Sequence, residues 1–195
     1  MKKIMPLLLA LVMVAFTGGL AAAQVPVPDT IYKWVQSSPR ANYYFNMEQL
    51  CFAVDEKGFI DQNTLLVAVV KTYDPLQIKD VQDKRQWKML NMDGYDDLAG
   101  AAEYARIDLA KQTVTITEVA DLDSTGTAIE TTYPNRTCDL KTMSDKSLDR
   151  IFFGVVIDYA KQHKEQIIQH TKGKVKPEDL VHKNDVGKKK KNNTK

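Results

Sequence analysis

The sequence predicts an α+β fold, a small antiparallel sheet packed by one long C-terminal helix. Two observations carry that expectation. Short β-prone runs, alternating or apolar throughout, recur from Tyr32 to Tyr133 and are separated by turn signals. After them, Ser144 to His170 sets Leu148, Ile151, Phe152, Val155, Tyr159 and Ile167 at helical spacing.

Taken in order, Tyr32 to Val35 is a first short strand and Tyr43-Tyr44-Phe45 begins a second. Leu50, Phe52 and Val54 alternate with Cys51, Ala53 and Asp55, the pattern of a half-buried strand, and Glu56-Lys57-Gly58 turns the chain. Leu65 to Tyr73 is apolar on both faces and therefore central, and Asp74-Pro75 stops it. Val81 to Leu90 reads as a short helix and Asn91 to Asp97 as a loop. Ala101 to Leu109 alternates again, with Ala105, Ile107 and Leu109 on one side. Thr113 to Ala120 and Thr127 to Tyr133 make a hairpin around Asp123–Gly126, and Pro134 to Met143 is a connection. Ser144 or Thr142 caps the final helix, Asp145 suits its positive end, and His170, Lys172 and Gly173 suit its close. Gly154 inside it points to close packing on the sheet.

The ends differ from this body. Residues 1–23 read as an export signal: Lys2 and Lys3, an apolar core from Leu7 to Phe16, then Ala21-Ala22-Ala23 before Gln24. Residues 24–31 form a Pro-rich extended leader, residues 32–171 a single domain, and residues 172–195 a Lys-rich tail expected to be disordered. The expected destination is the periplasm, the cell surface or the extracellular space. Residues 24–171 hold 16 basic and 22 acidic residues, whereas the tail holds nine lysines and three acids. Such an acidic body argues against a nucleic-acid groove. The run Lys188 to Lys191 is either a solvated solubility tail or a weak electrostatic contact with an anionic envelope surface.

Few residues suggest chemistry. Asp121, Asp123, Thr125 and Gly126 stand at positions 1, 3, 5 and 6 of a calcium-loop pattern, but position 12 is Thr132 and Glu130 falls two short. A hairpin turn with Gly126 at positive φ is the better reading. His163 and His170 lie seven apart, about 10.5 Å along a helix, too far to share one metal, and His182 is in the tail. No nucleophile stands beside a base in a recognised motif and no glycine-rich phosphate loop exists, so no catalytic, cofactor or metal residue is assigned. Asp93, Asp96 and Asp97 are acids in a loop, and would matter only if the fold gathered Asp93 and Asp96 with a basic or aromatic partner in a pocket. Trp34, Tyr43, Tyr44 and Trp87 are candidates for a ligand patch or for sheet and core aromatics. Cys51 and Cys138, in an exported chain, form either one long-range disulfide or two separate buried thiols.

The order of parts resembles the bacterial surface-adhesin protein E family. The resemblance rests on Tyr32-Lys33-Trp34-Val35, on the aromatic strand Tyr43-Tyr44-Phe45-Asn46, on LLVAVVKTYD, and on YARIDLAKQTVTITEVADLDSTGTAIET before a C-terminal helix. It spans roughly residues 32 to 165. Asn46 stands where that family has an acid, no cysteine follows the helix, and the basic tail is extra. The resemblance implies a small exported α+β domain that binds a protein or another envelope ligand, with no catalytic residues to transfer. The rival expectations are a secreted enzyme with an unrecognised site, using the acids of Asn91 to Asp97, and a structural envelope protein held by its basic tail.

Overall fold

The computed structural model describes residues 24–176, so the predicted export signal and the tail from residue 177 lie outside the described residues. Eight strands form one antiparallel sheet: β1 (Tyr32–Ser37), β2 (Ala41–Asn46), β3 (Cys51–Val54), β4 (Ile60–Tyr73), β5 (Leu98–Asp108), β6 (Thr113–Asp123), β7 (Ala128–Thr132) and β8 (Arg136–Asp139). Long strands β4, β5 and β6 run side by side through the centre. Each flank is split between two short strands. β2 pairs with Val69–Tyr73 and β3 with Ile60–Leu66 on one edge of β4, while β7 and β8 divide the far edge of β6. β1 adds outside β2.

Period-2 alternation decides which side chain meets which layer. On β4, Leu65, Val67 and Val69 join Phe45, Phe52, Ile107 and Val114 in the main core. Helices α2 (Leu148–Gln162) and α3 (Lys164–His170) cover that inner face with Phe152, Phe153, Val156, Ala160 and Ile167. Phe152 meets Phe153 edge-on at 5.3 Å, and Phe45 meets Tyr159 at 5.2 Å, the tilted geometry that aromatic quadrupoles favour.

The antiparallel α+β layout is as the sequence predicts, but the single long C-terminal helix is not. The chain breaks at His163 (φ −109°), whose ring stacks on Tyr159 at 4.0 Å. α3 then turns onto β3, where the Thr171 hydroxyl donates to the Ile167 carbonyl and accepts from the Phe52 amide. The helix starts at Leu148, not Ser144; Arg150 donates instead to the carbonyls of Leu140 and Met143 and holds the preceding connection irregular. Its buried stripe is Phe152, Phe153, Val156 and Ala160, whereas Leu148, Ile151 and Val155 face solvent. A side chain at Gly154 would meet nothing within 4 Å, so no close packing explains that glycine.

Three other boundaries move. Helix α1 spans Pro75–Trp87, six residues earlier than the apolar pattern suggests, because Asp74 caps it (the Gln77 amide donates to Oδ1 at 2.6 Å) and Pro75 fits the first turn. The expected connection after Pro134 contains β8. Residues 172–176 are not loose tail: the Lys174 amide donates to the Gly58 carbonyl, and the Ile60 amide to the Lys174 carbonyl. The leader is also docked, since Val25 is buried against Val70, Ala99, Ala120 and Leu122. Among the described residues no helix is long and apolar enough to cross a membrane.

Candidate functional site

Alternation that sends Leu65, Val67 and Val69 inward sends Leu66, Ala68, Val70 and Thr72 to the opposite face. Register then assembles a row across the outer face: Trp34, Tyr44, Val70, Ala102, Ala120 and Thr131, each paired with the next. Beside it run Ala68, Tyr104 and Glu118. The facing pair Ala102 and Ala120, with Ala68 diagonal to them on β4, leaves a hollow of about 360 Å³. Val25 and Pro26 of the leader, Tyr32, Tyr104 and the Thr125-Gly126 turn close its sides, and no residue of α1, α2 or α3 lines it.

The leader reaches this face because Gly100 lets it. A Cβ there would stand 2.2 Å from the Lys71 carbonyl oxygen and 2.9 Å from Val25 Cγ2. The turn at the other side is the predicted one: Gly126 has φ 85°, and Asp123 Oδ1 accepts from the amides of Thr125 and Thr127 and the Thr125 hydroxyl. Those bonds hold the Asp123 carboxyl below the usual carboxylate range. Asp121 bonds elsewhere, so the two acids of the calcium-like pattern do not converge. Chemically, the hollow offers aromatic surface at Tyr32 and Tyr104, hydroxyl and amide groups at Thr125, Thr131 and Gln49, and one carboxylate, Glu118. It can hold a slender ligand, neutral or cationic.

The four aromatics of the expected patch divide. Trp34 and Tyr44 are neighbours on the outer face and prolong the row toward the sheet edge. Tyr43 faces inward, 6.3 Å from Phe152 with the Lys71 ammonium 5.5 Å over its ring. Trp87 stands apart from them at the end of α1, 82% exposed.

The cysteines are also kept apart. Cys51 pairs with Leu66 on the outer side, whereas Cys138 pairs with Val114 and packs against the inner core. β4, β5 and β6 lie between them, roughly 19 Å of sheet width against the ~7 Å limit for a bridge. Both thiols are free, and burial raises the pKa of each.

A polar cluster with no counterpart among the sequence expectations lies at the far end of the inner face. Gly94 (φ 80°) opens a short 3-10 turn, Tyr95–Asp97, that buries Tyr95. Its hydroxyl lies 2.7 Å from Asp121 Oδ2 and 3.0 Å from Glu130 Oε2. Arg85 of α1 stacks 3.8 Å over the Tyr95 ring and pairs with Glu130. Burial, then the bonds to Asp121 and Glu130, push the Tyr95 pKa well above that of free tyrosine, so the hydroxyl keeps its proton. Arg85 and Tyr95 hold the Glu130 carboxyl below its ordinary value. Every group here is engaged with another, which makes the cluster a clasp between α1 and the sheet. Asp93 and Asp96 are exposed beside it, and Asp97 accepts from the Ser124 hydroxyl at 2.8 Å. Among the described residues, no group of three or more His, Cys, Asp or Glu side chains is placed to hold a metal.

Compared with family models, curated proteins and solved structures, the chain finds no match.

Proposed function

We propose that this is an exported, non-enzymatic binding module of the cell envelope or surface, adhesin-like as the protein E resemblance implies, with its ligand in the trough on the open sheet face. The observation that carries this reading is the 360 Å³ hollow floored by Ala68, Ala102 and Ala120 on the face that α2 and α3 leave uncovered. A floor of alanines between tyrosine walls is the shape and chemistry of a site for a slender chain, peptide or otherwise, that stacks on Tyr104 and Tyr32. With Glu118 as the one charged group in the lining, an anionic ligand is disfavoured. The enzyme alternative, centred on Asp93 and Asp96, draws no support from a loop whose acids point to solvent. The tail-anchored alternative turns on residues outside the described region.

The test is retention of native envelope components on immobilised protein, comparing the wild-type chain with Ala102→Arg and Tyr104→Ala. The arginine of the first variant would fill the trough from a half-buried position. Retention by that variant is expected to fall about tenfold or more, roughly 1.4 kcal/mol, with an unchanged thermal midpoint. Equal retention by all three proteins would overturn the trough as the site.

A further inference from the structure

The two most exposed large apolar side chains of the described region stand together, and not in the trough. Trp87 is 82% exposed and Met89 94%, and Leu90 beside them is 48% exposed. They project from the C-terminal end of α1, whose close is a well-formed Schellman turn: the Leu90 amide donates to the Arg85 carbonyl at 3.0 Å, and the Met89 amide to the Gln86 carbonyl at 2.9 Å. Arg85 fixes the turn to the body through the Asn91 carbonyl, Glu130 and the Tyr95 ring. The apex is therefore held, not frayed.

Two features of this turn make no sense as packing. The position that calls for left-handed backbone is ordinarily glycine, yet here it is Met89 at φ 54°. The chain accepts strain at that residue, and the side chain it gains goes almost wholly into solvent. The turn itself is also free of acids, although the exposed Asp93 lies three residues beyond it. From Lys84 to Leu90 the sequence is KRQWKML, three basic residues and no acid. The upstream acids Asp80 and Asp83 are taken up by Lys84 and Lys79 along the helix, and Lys88 has no ion pair among the described residues.

We propose that this apex is a membrane-surface contact, in which Trp87, Met89 and Leu90 enter the interfacial layer of an anionic lipid bilayer while Lys88 lies over its headgroups. Side chains this exposed at the apex of a turn suit a soft surface and not a groove. Tryptophan favours the headgroup boundary because its ring is apolar and its N–H is polar. Lysines beside such residues add attraction to anionic lipid that falls off within a Debye length. This contact is independent of the trough.

The test uses the full chain carrying Trp34→Phe, so that Trp87 is the only tryptophan. Vesicles of phosphatidylethanolamine and phosphatidylglycerol are compared with vesicles of phosphatidylcholine alone. On the anionic vesicles Trp87 emission is expected to shift to shorter wavelength and to be quenched by lipids brominated on the acyl chain. Raising salt from 0.1 M to 1 M, which shortens the Debye length from about 10 Å to about 3 Å, should weaken the effect. Met89→Gly relieves the backbone and removes the side chain, so it should raise the thermal midpoint while lowering vesicle partition several-fold. Trp87 emission unchanged on every vesicle, or a Met89→Gly protein that partitions as the wild type does, would overturn the proposal. Binding of the chain without quenching at Trp87 would assign the attraction to another part of the chain, the lysine tail or residues 1–23, and overturn it equally. Ala102→Arg should leave Trp87 quenching intact, which separates this contact from the trough.

Discussion

Helices α2 and α1 are nearly equal in length, fifteen and thirteen residues, and are held by opposite means. α2 buries Phe152, Phe153, Val156 and Ala160 in the main core and has no side-chain cap. α1 buries no residue fully. It is held by the Asp74 cap, by Lys79–Asp83 and Asp80–Lys84 pairs one turn apart, and by Arg85 closing on Tyr95 and Glu130. One helix is fixed by apolar area, the other by a few directed polar bonds. Area is written along the helix itself as periodicity; directed bonds depend on partners more than forty residues away, as Arg85 and Glu130 show.

That contrast can be broken at its strong end first. Phe152→Ala should destabilise by about 3–5 kcal/mol in denaturant unfolding, since it empties a site at 3% exposure that touches both Tyr43 and Phe153. Val155→Ala, one turn away but exposed, should move stability by less than about 0.5 kcal/mol. Equal losses from the two would mean that the buried stripe is misplaced.

The clasp should answer to smaller changes. Tyr95→Phe keeps the ring and removes the hydroxyl shared by Asp121 and Glu130. A loss of about 1–2 kcal/mol is expected, with faster amide exchange along α1 and none along α2. Exchange that rises equally in both helices would deny α1 its separate mode of attachment.

Acid sharpens the same point. The Glu130 carboxyl is depressed in the folded state, chiefly by Arg85. Its contribution is fully present above the unfolded value of ~4.3 and is lost as pH falls through the lower folded value. Exchange along α1 should therefore accelerate below about pH 4. Glu130→Gln should flatten that dependence, because the amide has no proton to take up. An acid response unchanged in Glu130→Gln would place the titrating group elsewhere.

The legible parts of this fold are those whose signal is local. Leu65 to Tyr73 reads as a central strand because both its faces are covered somewhere along its length, and β4 is that strand. The hairpin at Asp123–Gly126 is legible because one glycine must take positive φ there. The apolar pattern places α1 late because Asp74-Pro75 marks the end of a strand, while the same two residues also cap and start a helix. The break at His163 is hidden because Ile167 continues the spacing of α2 even though it belongs to a helix packed on β3.

The sequence by itself determined the alternation, the turns and the charge divided between body and tail, because each depends on neighbours within a few residues. Only the tertiary structure decided the trough, the clasp and the separation of the cysteines. Ala68, Ala102 and Ala120 become one floor through the register of three strands, and Trp34 and Tyr44 part from Tyr43 and Trp87 by face and by element. Cys51 and Cys138 are assigned to opposite faces by the parity of their pairings, with β4, β5 and β6 between them. Register and parity are properties of pairs of strands, fixed when distant segments bury their apolar sides together, and no single segment contains them.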